Sequence, residues 1–148
     1  LNNKIPHIKF KAILNNNNNE ILFMNDVEHD NHKSMKLPEG MILYGEAPEN
    51  ALKRTILEYT DIEVEPLALL GIYSSMTLDA GNTIHSVTIV FICLILDLGK
   101  ESNKSNCVWL YRDNHTKMPL NEEDNRILRD YTLWRVDKST HWTSKLCD

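Results

Sequence analysis

Apolar residues recur along this chain at two different periods, and the changes of period mark out its elements. Two apolar-containing stretches, His7 to Leu14 and Glu20 to Met24, flank the asparagine run Asn15 to Asn19. Asparagine tolerates the left-handed backbone of a tight turn, so the pattern predicts a hairpin. Asp26 to Lys36 is polar and carries His29 and His32, and reads as a loop. From about residue 47 to 59 the period becomes helical: Pro48 suits a first turn, and Ala51, Leu52, Thr55, Ile56 and Tyr59 fall on one side. Glu63 to Tyr73 then predicts a strand and Thr77 to Thr83 a polar turn. Val87 to Leu96 is apolar throughout, rich in β-branched residues and too short to span a membrane as a helix, which makes it a central strand. Val108 to Tyr111 supplies one more short strand. Asn121 to Val136 places Ile127, Leu128, Tyr131, Leu133 and Trp134 at the spacing of a helix that covers a sheet. The order implies an α/β fold, an α/β/α sandwich in which a mixed central sheet carries one helix on each face.

Composition narrows the class. A chain of 148 residues with 42% hydrophobic and 25% charged content has the size and mixture of one globular domain, here 1–148. A formal charge of −5 and a pI near 5.7 argue against a broad basic surface, so nucleic acid is not an expected partner. Cys93, Cys107 and Cys147 show no metal spacing and fit reduced thiols better than a disulfide framework. No charged-then-apolar leader is visible, which makes the cytoplasm the expected compartment and the membrane an unexpected one.

The candidate chemistry lies between Leu37 and Ile62, in LPEGMILYGEAPENALKRTILEYTDI. Gly40, Glu46, Arg54, Ile56, Glu58 and Ile62 stand at the intervals of the pattern Gly-x5-Glu-x7-Arg-Glu-U-x-Glu-Glu-x-Gly-U, with U aliphatic. The segment resembles the box of the Nudix (MutT-like) hydrolase superfamily, with Thr55 and Tyr59 where that family has glutamates and Asp61 where it has glycine. The resemblance extends from about His7 to Trp134, and GIYSS before the long strand is most similar to the ADP-ribose pyrophosphatase branch. It implies the Nudix-type sandwich and a nucleotide-type ligand, a nucleoside diphosphate linked to another moiety. It also implies a homodimer, common among such proteins, and Mg2+ or Mn2+ as cofactor. By the same resemblance Glu58 is the retained metal ligand, Glu46 and Arg54 orient the loop and helix of a catalytic site, and Gly40 shapes the loop. Glu122, Glu123 and Asp124 lie where some members supply a further carboxylate, and the resemblance implies Glu122 as a candidate second metal ligand, against the commoner role of acids that open a helix and favour its dipole.

The box also permits a physical reading. Arg54 and Glu58 are four apart on the helix and can pair. Hard cations require several oxygen donors, and positions 55, 58 and 59 would form an acidic arc of about 100° if all three were glutamates. Here two of the three carry a hydroxyl and a phenol, which are poor ligands for such ions. Phosphoanhydride hydrolysis is expected to be impaired, and a non-catalytic module that binds a nucleotide or sugar metabolite is the alternative. Tyr73 is a candidate to stack on a base or ribose, against the commoner role of a half-buried strand tyrosine. The histidines show no ligand spacing. The tail residues Trp134, Arg135, Lys138, His141, Trp142 and Lys145 mix basic and aromatic character, and packing onto the core is favoured over recognition of a single strand.

Overall fold

The computed structural model describes residues 4–26, 34–99, 106–117 and 119–142. Its elements run in the order β1 (His7–Leu14), β2 (Glu20–Asp26), β3 (Ser34–Lys36), β4 (Glu39–Met41), α1 (Pro48–Thr60), β5 (Glu63–Asp79), β6 (Asn82–Asp97), β7 (Cys107–Tyr111), a 3-10 segment (Arg112–Lys117), α2 (Glu122–Asp137) and β8 (His141–Trp142). They form a five-stranded sheet of order β4-β1-β6-β5-β8 and a three-stranded sheet of order β3-β2-β7. The first is mixed: β1 runs parallel to β6, whereas β4 pairs with β1, and β5 with β6, antiparallel.

The expected hairpin around the asparagines divides instead. Asn16 Oδ1 accepts the backbone N–H groups of Asn18 at 2.9 Å and Glu20 at 3.0 Å, and Asn19 takes the left-handed conformation at φ 59°. The turn chemistry is as anticipated, yet β1 and β2 join different sheets, and their backbone pairing is reduced to a bridge between Asn15 and Ile21. The reason is burial. Phe10 to Leu14 are buried on both faces of β1, and a strand in that position needs a neighbour on each edge, which β4 and β6 provide.

Two further boundaries differ from the sequence reading. β5 and β6 form one long hairpin whose turn is only Ala80 and Gly81, with φ 49° and 81°, so the polar residues Thr77 to Asp79 and Asn82 to Thr83 are strand. Ser34–Lys36, expected as loop, is a strand paired with β2; His29 and His32 lie outside the described residues.

Alternation along β1 divides the core. Phe10, Ala12 and Leu14 pack with Ala51, Leu52 and Ile56 of α1, together with Ile62, Val64 and Phe91. Ile13, on the opposite face, packs with Ile127, Leu128 and Tyr131 of α2, and with Ile21 and Phe23 of the smaller sheet. α1 has Pro48 in its first turn and ends at Asp61, which adopts φ 59° and returns its N–H to Leu57 O at 3.0 Å. α2 is capped by Asn121, whose side chain accepts the Asp124 N–H at 2.7 Å. No described helix is long and apolar enough to cross a membrane.

Of the tail residues, Trp134 stacks on Tyr131, Arg135 lies over Tyr131 and reaches Asp113, and Lys138 covers the Trp134 ring. The Arg135–Asp113 pair and the packing of Trp134 against the core hold the end of α2 to the fold. The side chains of His141 and Trp142 and the whole of Lys145 lie outside the described residues.

Candidate functional site

A cavity of about 350 Å³ opens beside the box segment, lined by residues that include Lys9, Lys36, Glu39, Gly40 and Tyr59. Gly40 is required there by space: a Cβ on it would come within 2.7 Å of the Phe10 ring and 3.0 Å of Thr55 Cγ2. Phe10, Gly40 and Thr55 are therefore packed as one layer beneath the cavity floor. Thr55 is buried at 5% exposure, and Tyr59 stands on the cavity wall.

Arg54 binds Glu46 through both ends of its guanidinium, Nε to Oε2 at 2.8 Å and Nη2 to Oε1 at 3.0 Å. Glu46 also accepts the Leu43 N–H at 3.3 Å, so the pair ties the loop after β4 to α1. The hydrogen bond from Arg54 holds the Glu46 carboxyl below its ordinary range and, reciprocally, Arg54 above its own. Glu58 is a secondary partner at 3.7 Å, is 60% exposed and is not among the residues lining the cavity.

The residues present do not fit a multi-carboxylate cation site on α1. Position 55 carries a buried hydroxyl, position 59 a phenol, and Glu58 alone offers a carboxylate. Among the described residues no group of three or more His, Cys, Asp or Glu side chains is arranged to hold a metal ion.

Two other expected site residues are placed elsewhere. Glu122 points to solvent, 66% exposed, and pairs with Arg129 at 3.4 Å; it is the next two residues of the helix that turn inward. Tyr73 is core, 1% exposed, with its hydroxyl donating to Asp130 Oδ2 at 2.7 Å and Arg126 over its ring, so it offers no face to a base or ribose. A strand tyrosine that packs with Ile127, Leu128 and Tyr131 of α2 is packed, not presented.

A buried cluster of charge gathers around Lys11, which no sequence motif singles out. Lys11, on the α2 side of β1 and 2% exposed, places its Nζ 2.5 Å from Asp124 Oδ1, 3.0 Å from Glu123 Oε1 and 3.8 Å from Glu39 Oε2. Asp124 Oδ2 also accepts the Leu37 N–H at 3.1 Å, and Glu123 is in reach of the Thr88 hydroxyl at 3.4 Å. Burial works against the Lys11 ammonium, but the three facing carboxylates outweigh it and hold its pKa above the usual lysine range. The same burial pushes the Asp124 carboxyl up, against the pull of Lys11. Lys11 keeps its proton because three acids face it. At the mouth of this cluster, Glu39 takes Lys9 Nζ at 3.2 Å and Lys36 Nζ at 3.5 Å. Burial pushes Glu39 up, and Lys11, Lys9 and Lys36 together overcome this and hold it below the ordinary carboxylate range. The available signal was the lysine at alternate positions of an otherwise apolar strand, KFKAIL: two cations on one sheet face with no polar neighbour in sequence.

A mixed sheet between two helices, with the Gly40-bearing strand β4 leading through a loop into an Arg54-bearing helix, defines a fold and a box that have relatives. The model of the NUDIX domain matches residues 5–131, and the chain belongs to that family. An ADP-ribose pyrophosphatase of Methanocaldococcus jannaschii is 29% identical over 119 residues, which are 79% of this chain and 68% of that protein. Among solved structures, a NUDIX hydrolase from Nitrosomonas europaea superposes with a TM-score of 0.73 at 17% identity, covering 95% of this chain and all of that one (100%). The NUDIX domain of Shewanella oneidensis NrtR, solved in complex with ADP ribose, superposes with a TM-score of 0.66 at 19% identity and covers 90% of each chain. At such identities the two structures speak for the fold.

Proposed function

We propose that this protein binds a nucleoside diphosphate linked to a second moiety, of the ADP-ribose kind, in the cavity beside the box, and hydrolyses it weakly or not at all by the family's metal route. The observation that carries the reading is the composition of that cavity. Lys9 and Lys36 provide cationic character for phosphates, Tyr59 a ring for a base or ribose, and Met24 and Met41 apolar wall. The 29% identical pyrophosphatase and the ADP-ribose-bound structural relative support the ligand class.

The chemistry of the donor set supports impairment. Pyrophosphate cleavage needs its crowded oxygens neutralised and a water activated, work that divalent cations do generally in this family. With Thr55 and Tyr59 in place of carboxylates, Glu58 is left as a single ligand on an exposed helix face. Arg54 and Glu46 orient the loop and helix, and Gly40 lets strand β4 lie close against Phe10. The same facts favour the second reading, a non-catalytic module that senses such a metabolite, and one experiment separates the two.

The purified chain is incubated with Mg2+ and ADP-ribose, NADH, dinucleoside polyphosphates and nucleoside triphosphates, and nucleoside monophosphate release is followed. Turnover by the unaltered chain that falls with Glu58→Gln identifies a working hydrolase. Binding without turnover, converted to turnover about tenfold or more above background by Thr55→Glu with Tyr59→Glu, identifies a substrate cleft that lacks only its metal ligands. Tyr59→Glu alone serves if the buried position 55 does not accept a charge. Failure of every compound to bind or to raise thermal stability would reject the reading.

A further inference from the structure

Three lysine ammonium groups converge on one carboxylate at the wall of the cavity. Glu39 receives Lys9 at 3.2 Å, Lys36 at 3.5 Å and Lys11 at 3.8 Å. Lys9 and Lys11 come from one face of β1, where the ladder sets Lys11 opposite Glu39, and Lys36 comes from β3 of the other sheet. Lys11 is anchored from behind by Asp124 and Glu123, so its position does not depend on Glu39. Lys9, Lys36 and Glu39 are each partly exposed and all line the cavity.

That geometry is how a protein holds an anion: several ammonium groups of fixed origin around a single acceptor, at a cavity mouth, with a buried charge behind. We propose that Glu39 is a resident anion, and that the diphosphate of a ligand binds without a metal ion by displacing it from Lys9 and Lys36. The inference rests on the ligand class proposed above and names the charge that receives it. A diphosphate carries more charge and more acceptor oxygens than the one carboxylate it would replace, and the Glu39 side chain, 26% exposed on the short edge strand β4, has solvent to turn into. The loss of box carboxylates and the gathering of lysines then belong together. Carboxylates that would gather cations are absent at positions 55 and 59, and the charge that meets phosphate is supplied by lysine.

The test is calorimetric titration of the full chain with inorganic pyrophosphate in the presence of a metal chelator, with ADP-ribose as a second titrant. Pyrophosphate is expected to bind metal-free and more weakly as salt rises. Glu39→Gln is expected to tighten it about tenfold and Lys9→Gln to weaken it about tenfold, the size of one charge-assisted hydrogen bond made or broken. Should Glu39→Gln fail to fold, Lys9→Gln carries the test, and an unchanged affinity overturns the proposal. So does pyrophosphate binding that Glu39→Gln leaves the same or weakens, or that requires Mg2+. Metal-free pyrophosphate binding with no affinity for ADP-ribose keeps the anion site and rejects the nucleoside diphosphate reading. ADP-ribose binding that needs Mg2+ and ignores Glu39→Gln keeps that reading and rejects this one.

Discussion

Two ion-pair systems flank the cleft, and they differ in almost every physical respect. On the α1 side, Arg54 grips Glu46 and leans toward Glu58, with much of the group in solvent. On the α2 side, Lys11 is enclosed with Asp124 and Glu123 and meets the cavity through Glu39. An exposed pair gains little over its hydrated components, so the first system orients a loop more than it stabilises the fold. A buried cation among acids is another matter, because any partner removed leaves an uncompensated charge in a low-dielectric interior. The family motif is written in the first system, whereas the second joins β1, β4 and α2 across the middle of the molecule.

The largest break in this comparison should come from Lys11→Met. It leaves Asp124 and Glu123 buried beside each other without their cation, and a loss of about 3–5 kcal/mol is expected in denaturant unfolding. A loss no larger than that of an exposed pair would mean that water or a rearranged Lys9 replaces the ammonium, and the contrast between the two systems would fall. A smaller effect is expected with pH. Glu39 is held below its unfolded value, so its contribution is complete above an ordinary carboxylate pKa of about 4.5 and disappears as pH falls through the lower folded value. Melting temperatures of the unaltered chain and Glu39→Gln should therefore differ at neutral pH and converge in acid. Curves that stay parallel would show that Glu39 gains nothing from its three lysines. The smallest effect belongs to Arg54→Ala, whose stability loss should be far below that of Lys11→Met and should shrink further in high salt. A large, salt-insensitive loss would show that the Glu46 link holds more than a loop.

Much of the fold is legible in the sequence, for a physical reason particular to each element. The pattern predicts α1 over 47 to 59 and the helix runs Pro48–Thr60, because proline at its start and apolar residues at helical spacing agree with one another. It predicts α2 over 121 to 136, and that helix runs Glu122–Asp137, because the Asn121 cap, the acidic first turn and apolar residues at helical spacing agree. The asparagine run predicts its turn correctly and a hairpin wrongly. Turn chemistry is local, while the choice between pairing β1 with β2 or with β6 depends on what covers the second face of Phe10 to Leu14. Polarity also misleads at Thr77 to Thr83, where a two-residue turn lets polar residues continue the ladder at the exposed end of the long hairpin.

The candidate site divides along the same line. Sequence spacing is enough to put Arg54 within reach of Glu58 and to see that positions 55 and 59 lack carboxylates, since these follow from a short segment and the geometry of one helix; Gly40, expected to shape a loop, lies instead in strand β4, paired with Phe10. Spacing does not reveal that Glu122 faces solvent while Glu123 and Asp124 turn inward, or that Tyr73 is core, because which residue of a helix turn or strand faces inward is decided by the element packed against it. Only the tertiary structure brings Lys9, Lys11, Lys36 and Glu39 together. Lys11 and Asp124 are 113 positions apart, and no local pattern relates them. Their meeting is fixed by the parallel register of β1 on β6 and by where α2 begins, and an ion cluster of that kind exists only once both sheets and the helix have closed over it.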